Sequence, residues 1–139
     1  MTVDRLVLDS NVLISAAMSP AGAPARLFDR LREQRVILLF SDPTLTEIRS
    51  RLLRPRFDRY VSHASRVRFL AELDAVCEQV GITGAIMGCR DRDDDKILET
   101  ALNGQAQLIV SGDQDLLVMN PWREIPVLDP RRALSLMGD

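Results

Sequence analysis

The stretch RLVLDSNVLIS, residues 5–15, sets one carboxylate, Asp9, in a largely apolar run. An ionised carboxylate is expensive to bury without a partner. The first half, from VDRLVLD, reads as a short buried strand ending at Asp9. The second half opens SNVLISAAM, a helical pattern that Ser10 or Asn11 can cap. Asp9 therefore stands where a strand gives way to a helix. Taken alone, it is as readily a helix cap as a functional group.

The same alternation continues along the chain. A helix is expected from near Pro24, carrying Leu27, Phe28 and Leu31 on one face. VILLFS is a continuous apolar run, hence a second buried strand. SDPTLTEIRSRLLRP follows as a helix, capped by Asp42, begun by Pro43 and ended near Pro55. The spacing predicts another helix from Ser62 to Val80, closed by Gly81. ITGAIMGC reads as either a short strand or an extended connection. RDRDDDKILETALNG is a helix with an acidic N-terminus and Gly104 as its stop. AQLIVSGD is a strand running into a turn, and QDLLVM a short helix or loop. IPVLDP is a last strand and PRRALSLMG a last helix. Apolar strands alternating with helices imply a mostly parallel sheet covered on both faces.

The 139 residues suit one domain, 1–139, with no repeat or linker. Hydrophobic residues make up 46%, enough for a core, while aromatics at 4% leave it to Leu, Val, Ile and Ala. The net charge of -2 gives no global pull toward nucleic acid or anionic membrane. Seven Arg residues nonetheless fall between Arg49 and Arg68, and Lys96 is the only lysine. Cys77 and Cys89 make neither a metal motif nor an expected disulfide. No apolar run is long enough to span a bilayer and no signal pattern opens the chain, so a cytoplasmic protein is expected.

The acids decide the function. Asp93, Asp94 and Asp95 are three like charges in a row, more than a cap requires. Asp113 and Asp115 lie just past a buried strand, and a parallel sheet brings them toward Asp9. Crowded carboxylates raise one another's pKa unless a cation neutralises them. With only oxygen donors, and His63 far from the set, the expected ion is magnesium or manganese rather than zinc. Such ions serve phosphoryl and phosphodiester chemistry. No nucleophilic Ser/His/Asp arrangement or glycine-rich phosphate loop competes.

VLDSNVLISA, LTEI, CRDRDDDKILETAL and IVSGDQDLL, in this order and over nearly the whole chain, resemble the PIN domain. The nearest branch is the toxin component of bacterial and archaeal toxin–antitoxin pairs. The resemblance implies a three-layer α/β/α sandwich and a ribonuclease dependent on one or two Mg2+ or Mn2+ ions. It places the acidic quartet at Asp9, Glu47, Asp94 and Asp113, with Asp95 the rival to Asp94. Asp94 is preferred because Ile97, Thr100 and Ala101 then match the family's apolar residue, Thr and Ala. By analogy, Asp9, Asp94 and Asp113 would hold one ion, with Glu47 and Asp115 helping with a second or with a water. Ser10 keeps the hydroxyl of the family's usual Thr, and Asn11 would orient the site. The resemblance also implies an RNA substrate, an antitoxin partner and a homodimer. Arg49, Arg51, Arg54 and Arg56 are candidate RNA contacts, with a solvated helix face as the alternative. Tyr60, Phe57 and Trp122 could stack bases or simply pack.

Other acid-bearing folds fit less well. A ribonuclease H-like domain needs antiparallel strands after its first Asp, a Toprim domain starts from Glu, and a dehalogenase-like phosphatase needs Asp where Asn11 stands. A catalytically weak module that binds RNA or protein is the alternative. The filled quartet argues against it.

Overall fold

The computed structural model describes residues 2–138. Its centre is a five-stranded sheet in which every pairing is parallel. The strands are β1 (Arg5–Leu8), β2 (Ile37–Phe40), β3 (Cys77–Gln79), β4 (Leu108–Val110) and β5 (Val127–Leu128), in the order β3-β2-β1-β4-β5. Among the described residues, seven α-helices connect and flank them: α1 (Ser10–Met18), α2 (Ala23–Glu33), α3 (Asp42–Leu52), α4 (His63–Val76), α5 (Asp95–Asn103), α6 (Gln114–Leu117) and α7 (Pro130–Leu136).

Both faces of the sheet are covered. Leu6, Leu8, Leu38, Phe40, Leu108 and Val110 point into one core with α1, α2, α3, α4 and α7. Their alternates Val7, Leu39, Ile109 and Val127 point into a second with α5, Leu116 and Trp122. This double burial is why the strands read as unbroken apolar runs. Trp122 is thereby a packing residue, whereas Tyr60 is 71% exposed.

Two elements differ from expectation. The helix from Ser62 ends at Val76, and Cys77–Gln79 form the edge strand β3, paired Leu38↔Cys77 to Phe40↔Gln79. Glu78 and Gln79 face solvent, so the strand has no apolar signature and merges into the helical pattern. The cap of α3 is Ser41 rather than Asp42. The Ser41 hydroxyl accepts from the Thr44 N–H, and the Thr44 hydroxyl accepts from the Ser41 N–H. The Thr100 hydroxyl then donates to the buried Ser41 hydroxyl at 2.9 Å, which ties α5 to the start of α3.

ITGAIMGC is an irregular loop held by α5. The buried Glu99 carboxylate accepts from the backbone N–H groups of Thr83 (2.8 Å), Gly84 (2.9 Å) and Ala85 (3.0 Å), and from the Thr83 hydroxyl. These bonds, the Thr83 N–H first, hold its pKa below the usual carboxylate value. Gly104 ends α5 where the chain passes close under the sheet. A Cβ there would lie 2.8 Å from Leu39 Cδ1 and 2.9 Å from Val80 Cγ2.

Candidate active site at the strand ends

The strand order reverses at β1. The chain runs from β1 outward to β2 and β3, then returns to insert β4 on the other side. Crevices beyond the carboxyl ends of strands at such a switch point are where open α/β sheets place their sites. Asp9 follows β1 and Asp113 follows β4 by three residues, so both acids lie beyond the carboxyl ends of neighbouring strands at this switch point.

Asp9 occupies the N-cap position of α1, where neither Ser10 nor Asn11 stands as expected. Its carbonyl accepts from Val12 (3.0 Å) and Leu13 (3.3 Å), but its side chain makes no capping bond. The carboxylate instead accepts from the Ser111 hydroxyl at 2.8 Å. Ser111 in turn accepts from the Asp113 N–H at 2.9 Å, so one hydroxyl joins the two strand ends. Asp9 is 5% exposed, and its pKa is raised: burial is the main cause, and the charges of Glu47 and Asp113 add to it against the Ser111 bond.

Asp91, Asp94, Asp113 and Asp115 each bring a carboxylate oxygen within 4.8 Å of the others. Asp94 is the most strained member. Its pKa is pushed up to about 8, first by burial, then by the adjoining Asp113 carboxylate, and further by Asp9 and Asp91. Its Oδ2 is buried and has no hydrogen-bond partner. An unpartnered buried oxygen amid like charges, in an all-oxygen donor set, fits a hard divalent cation.

A 3-10 turn over Arg92–Asp94 precedes α5 and separates Asp94 from Asp95. Asp94 faces the other acids. Asp95, 5% exposed, is turned away and accepts from the Cys89 N–H at 3.0 Å. Asp95 and Glu99 thus anchor the loop that delivers Asp91 to the cluster.

Glu47 projects from α3 on the far side of Asp9. Its Oε1 accepts from the Ser10 hydroxyl at 2.8 Å and pairs with Arg51 Nη1 at 2.9 Å. Its Oε2 pairs with Lys96, which also reaches Asp93 at 3.1 Å. Burial opposes the charge on Lys96, but its bonds to Glu47 and Asp93 prevail and raise its pKa. Asn11 is exposed and accepts a long bond, 3.5 Å, from Arg51.

The Arg-rich stretch splits by role. Arg66 is fully buried and donates to the carbonyls of Leu52 (2.8 Å), Arg54 (3.1 Å) and Val61 (3.2 Å), and it pairs with Asp58. It clasps the loop between α3 and α4. Arg49 pairs with Asp74 of α4 at 3.0 Å, and Arg51 turns into the site. Arg54 and Arg56 are exposed, with Arg56 5.0 Å from the Phe57 ring centre.

Four residues at the site lay outside the sequence-derived set: Asp91, Ser111, Lys96 and Arg90, which pairs with Asp115 at 2.8 Å. Three had a visible signal. Asp91 opens the acidic run, Ser111 is in SGDQD, and Lys96 is the only lysine in the chain. Cys77 and Cys89 are both free thiols. No helix among the described residues is long and apolar enough to cross a membrane.

A parallel sheet with acids beyond β1 and β4 defines an α/β protein with a cluster of carboxylates at its switch point. The model of the PIN domain matches residues 5–115, and the chain belongs to that family, whose members are generally nucleases that bind divalent metals. It is 31% identical over 114 residues to an uncharacterized protein of Methanocaldococcus jannaschii, covering 81% of this chain and 73% of that one. Its fold is similar to the crystal structure of PAE2754 from Pyrobaculum aerophilum, with a TM-score of 0.65 and 15% identity, over 96% of this chain and 88% of the other.

Proposed function

We propose that this protein is a magnesium- or manganese-dependent endoribonuclease. The observation that carries the reading is the buried, unpartnered oxygen of Asp94 among the carboxylates of Asp91, Asp113 and Asp115, from the loop before α5 and the end of β4. Asp94, Asp113 and Asp9 would hold an ion, with Asp91 and Asp115 beside them. When bound, the ion supplies a water of lowered pKa and charge stabilisation at phosphorus. The chain's own residues fix the geometry. Ser111 holds Asp9 against Asp113, and the Thr100–Ser41 bond fixes α3, with Glu47, against α5. Asp95 and Glu99 hold the loop bearing Asp91. RNA as substrate is supported by family membership and by the exposed Arg54 and Arg56 near the site's helix α3.

The test is manganese-dependent cleavage of a mixed RNA pool by wild type, Asp9→Asn and Asp113→Asn. Cleavage by wild type and none by folded variants is the expected result. Full activity in either variant would sink the assignment. The resemblance to toxin components extends the proposal to growth arrest, relieved by a small antitoxin, with a homodimer as the assembly. Induced expression in a bacterial host should arrest growth with wild type and not with Asp94→Asn.

A further inference from the structure

The charge balance divides the crevice in two. On one side Asp91, Asp94, Asp113 and Asp115 each bring a carboxylate oxygen within 4.8 Å of the others, the charge of Asp9 adds to theirs at Asp94, and Asp94 Oδ2 has no hydrogen-bond partner. On the other, a single carboxylate, Glu47, carries two cations and a hydroxyl: Arg51 at 2.9 Å, Lys96, and Ser10 at 2.8 Å. Asp93 also reaches Lys96, but its side chain is 64% exposed and its hold is screened by solvent. An acid already bonded to two cations is a poor place for a third. Glu47 Oε2, buried like Asp94 Oδ2, has the Lys96 ammonium against it, whereas Asp94 Oδ2 faces only other carboxylates and is the better place for an ion.

Building on the nuclease reading, we propose that Lys96 and Arg51 form a phosphate clamp beside the metal-binding acids. Glu47 is then the positioning residue that holds both cations, rather than a ligand of an ion. The two halves adjoin, since the charge of Glu47 acts on Asp9. The Lys96 and Arg51 side chains are 20% and 33% exposed, held from below by Glu47 yet open to an incoming anion. An ammonium has three donors and a guanidinium five, so each keeps capacity for phosphate oxygens while bonded to Glu47. The ligand is the backbone phosphate of single-stranded RNA, read as charge and not as sequence.

Manganese binding is measured by calorimetry with the ion alone. RNA binding is measured with a labelled single-stranded oligonucleotide, with calcium replacing manganese, across a salt series. Lys96→Gln should bind manganese within about twofold of wild type, whereas its RNA affinity falls about tenfold and its log–log salt slope becomes shallower by about 0.7, one lost phosphate contact. Lys96→Arg should restore the slope. Glu47→Gln should weaken RNA binding while holding manganese within about twofold, against a loss of more than about tenfold in Asp94→Asn. Two results overturn the clamp: Glu47→Gln losing manganese as Asp94→Asn does, or Lys96→Gln keeping the wild-type slope and affinity. Wild type that binds neither manganese nor RNA overturns the nuclease reading itself, and the clamp with it.

Discussion

Asp94→Asn should make the metal-free protein more stable, by an amount that grows with pH. The Asp94 pKa of about 8 lies far above the 3.8 of an unperturbed carboxyl. Between these values the folded protein holds a proton that the unfolded chain has released. Raising the pH through this window therefore destabilises metal-free wild type, and the loss is complete above about 8. Asn has no such proton, so the variant lacks this slope. The size follows from the geometry. Charges 4.8 Å apart repel by about 0.9 kcal/mol in water and about 3.5 kcal/mol at an effective dielectric of 20. Linkage over the whole window would amount to about 6 kcal/mol from burial and repulsion together, and because Asp94 is partly solvated, screening cuts this to about 1–2 kcal/mol. That is about 3–6 °C in Tm for a chain of this size. The assay is thermal unfolding in EDTA from about pH 3.5 to about pH 8.5, repeated with manganese. The two proteins should melt together below about pH 4 and separate as pH rises, with the variant higher. Manganese should reverse the order, since an ion at a hundred times its Kd adds about 2.7 kcal/mol to the protein that binds it. A pH-independent difference in EDTA, or a variant less stable than wild type at pH 8, would refute the reasoning.

Gly104→Ala should destabilise by about 1–3 kcal/mol in urea unfolding, because its methyl would lie under 3 Å from Leu39 and Val80. Arg66→Ala should cost about 2–4 kcal/mol by leaving the Leu52 and Arg54 carbonyls without their donor. Hydrogen exchange should show residues 53–62 opening first. Glu99→Gln should speed exchange at the Thr83, Gly84 and Ala85 amides on the order of tenfold, since an amide offers one acceptor to three N–H groups. Because the Glu99 pKa is lowered in the folded state, its contribution exists above the unfolded carboxyl value and fades as pH falls through the folded one. The wild-type advantage over Glu99→Gln should therefore shrink on acidification, as checked by melts below pH 5.

What could be seen in the sequence follows from burial. β1, β2 and β4 are buried on both faces, so their apolar runs announce a parallel sheet and place Asp9 and Asp113 at strand ends. β3 lies at the sheet edge with Glu78 and Gln79 outward, so nothing in its composition separates it from the helix before it. The ambiguity between Asp94 and Asp95 has a similar origin. A 3-10 turn changes the helical phase just before α5, and only three-dimensional geometry tells which acid faces the cluster. Asp9 was evenly balanced between cap and functional group. It takes the cap position by its backbone and the site by its side chain, so both readings hold for different atoms. The burial of Arg66 had no sequence signal, since its partners are mostly backbone carbonyls that any sequence supplies.

The insertion of β4 beside β1 also governs when the crevice can exist. Asp9 leaves the ribosome about a hundred residues ahead of its Ser111 partner and Asp113, and the Asp9 N–H itself pairs with the Val110 carbonyl. Closing so long a loop is a late folding event. Until the segment bearing Val110 and Ser111 is made, Asp9 lacks both its backbone partner and its side-chain partner across the sheet. Competence then comes all at once, when the segment around residues 108–115 docks. A chain stopped before that segment should lack the acidic cluster, since Asp113 and Asp115 belong to it.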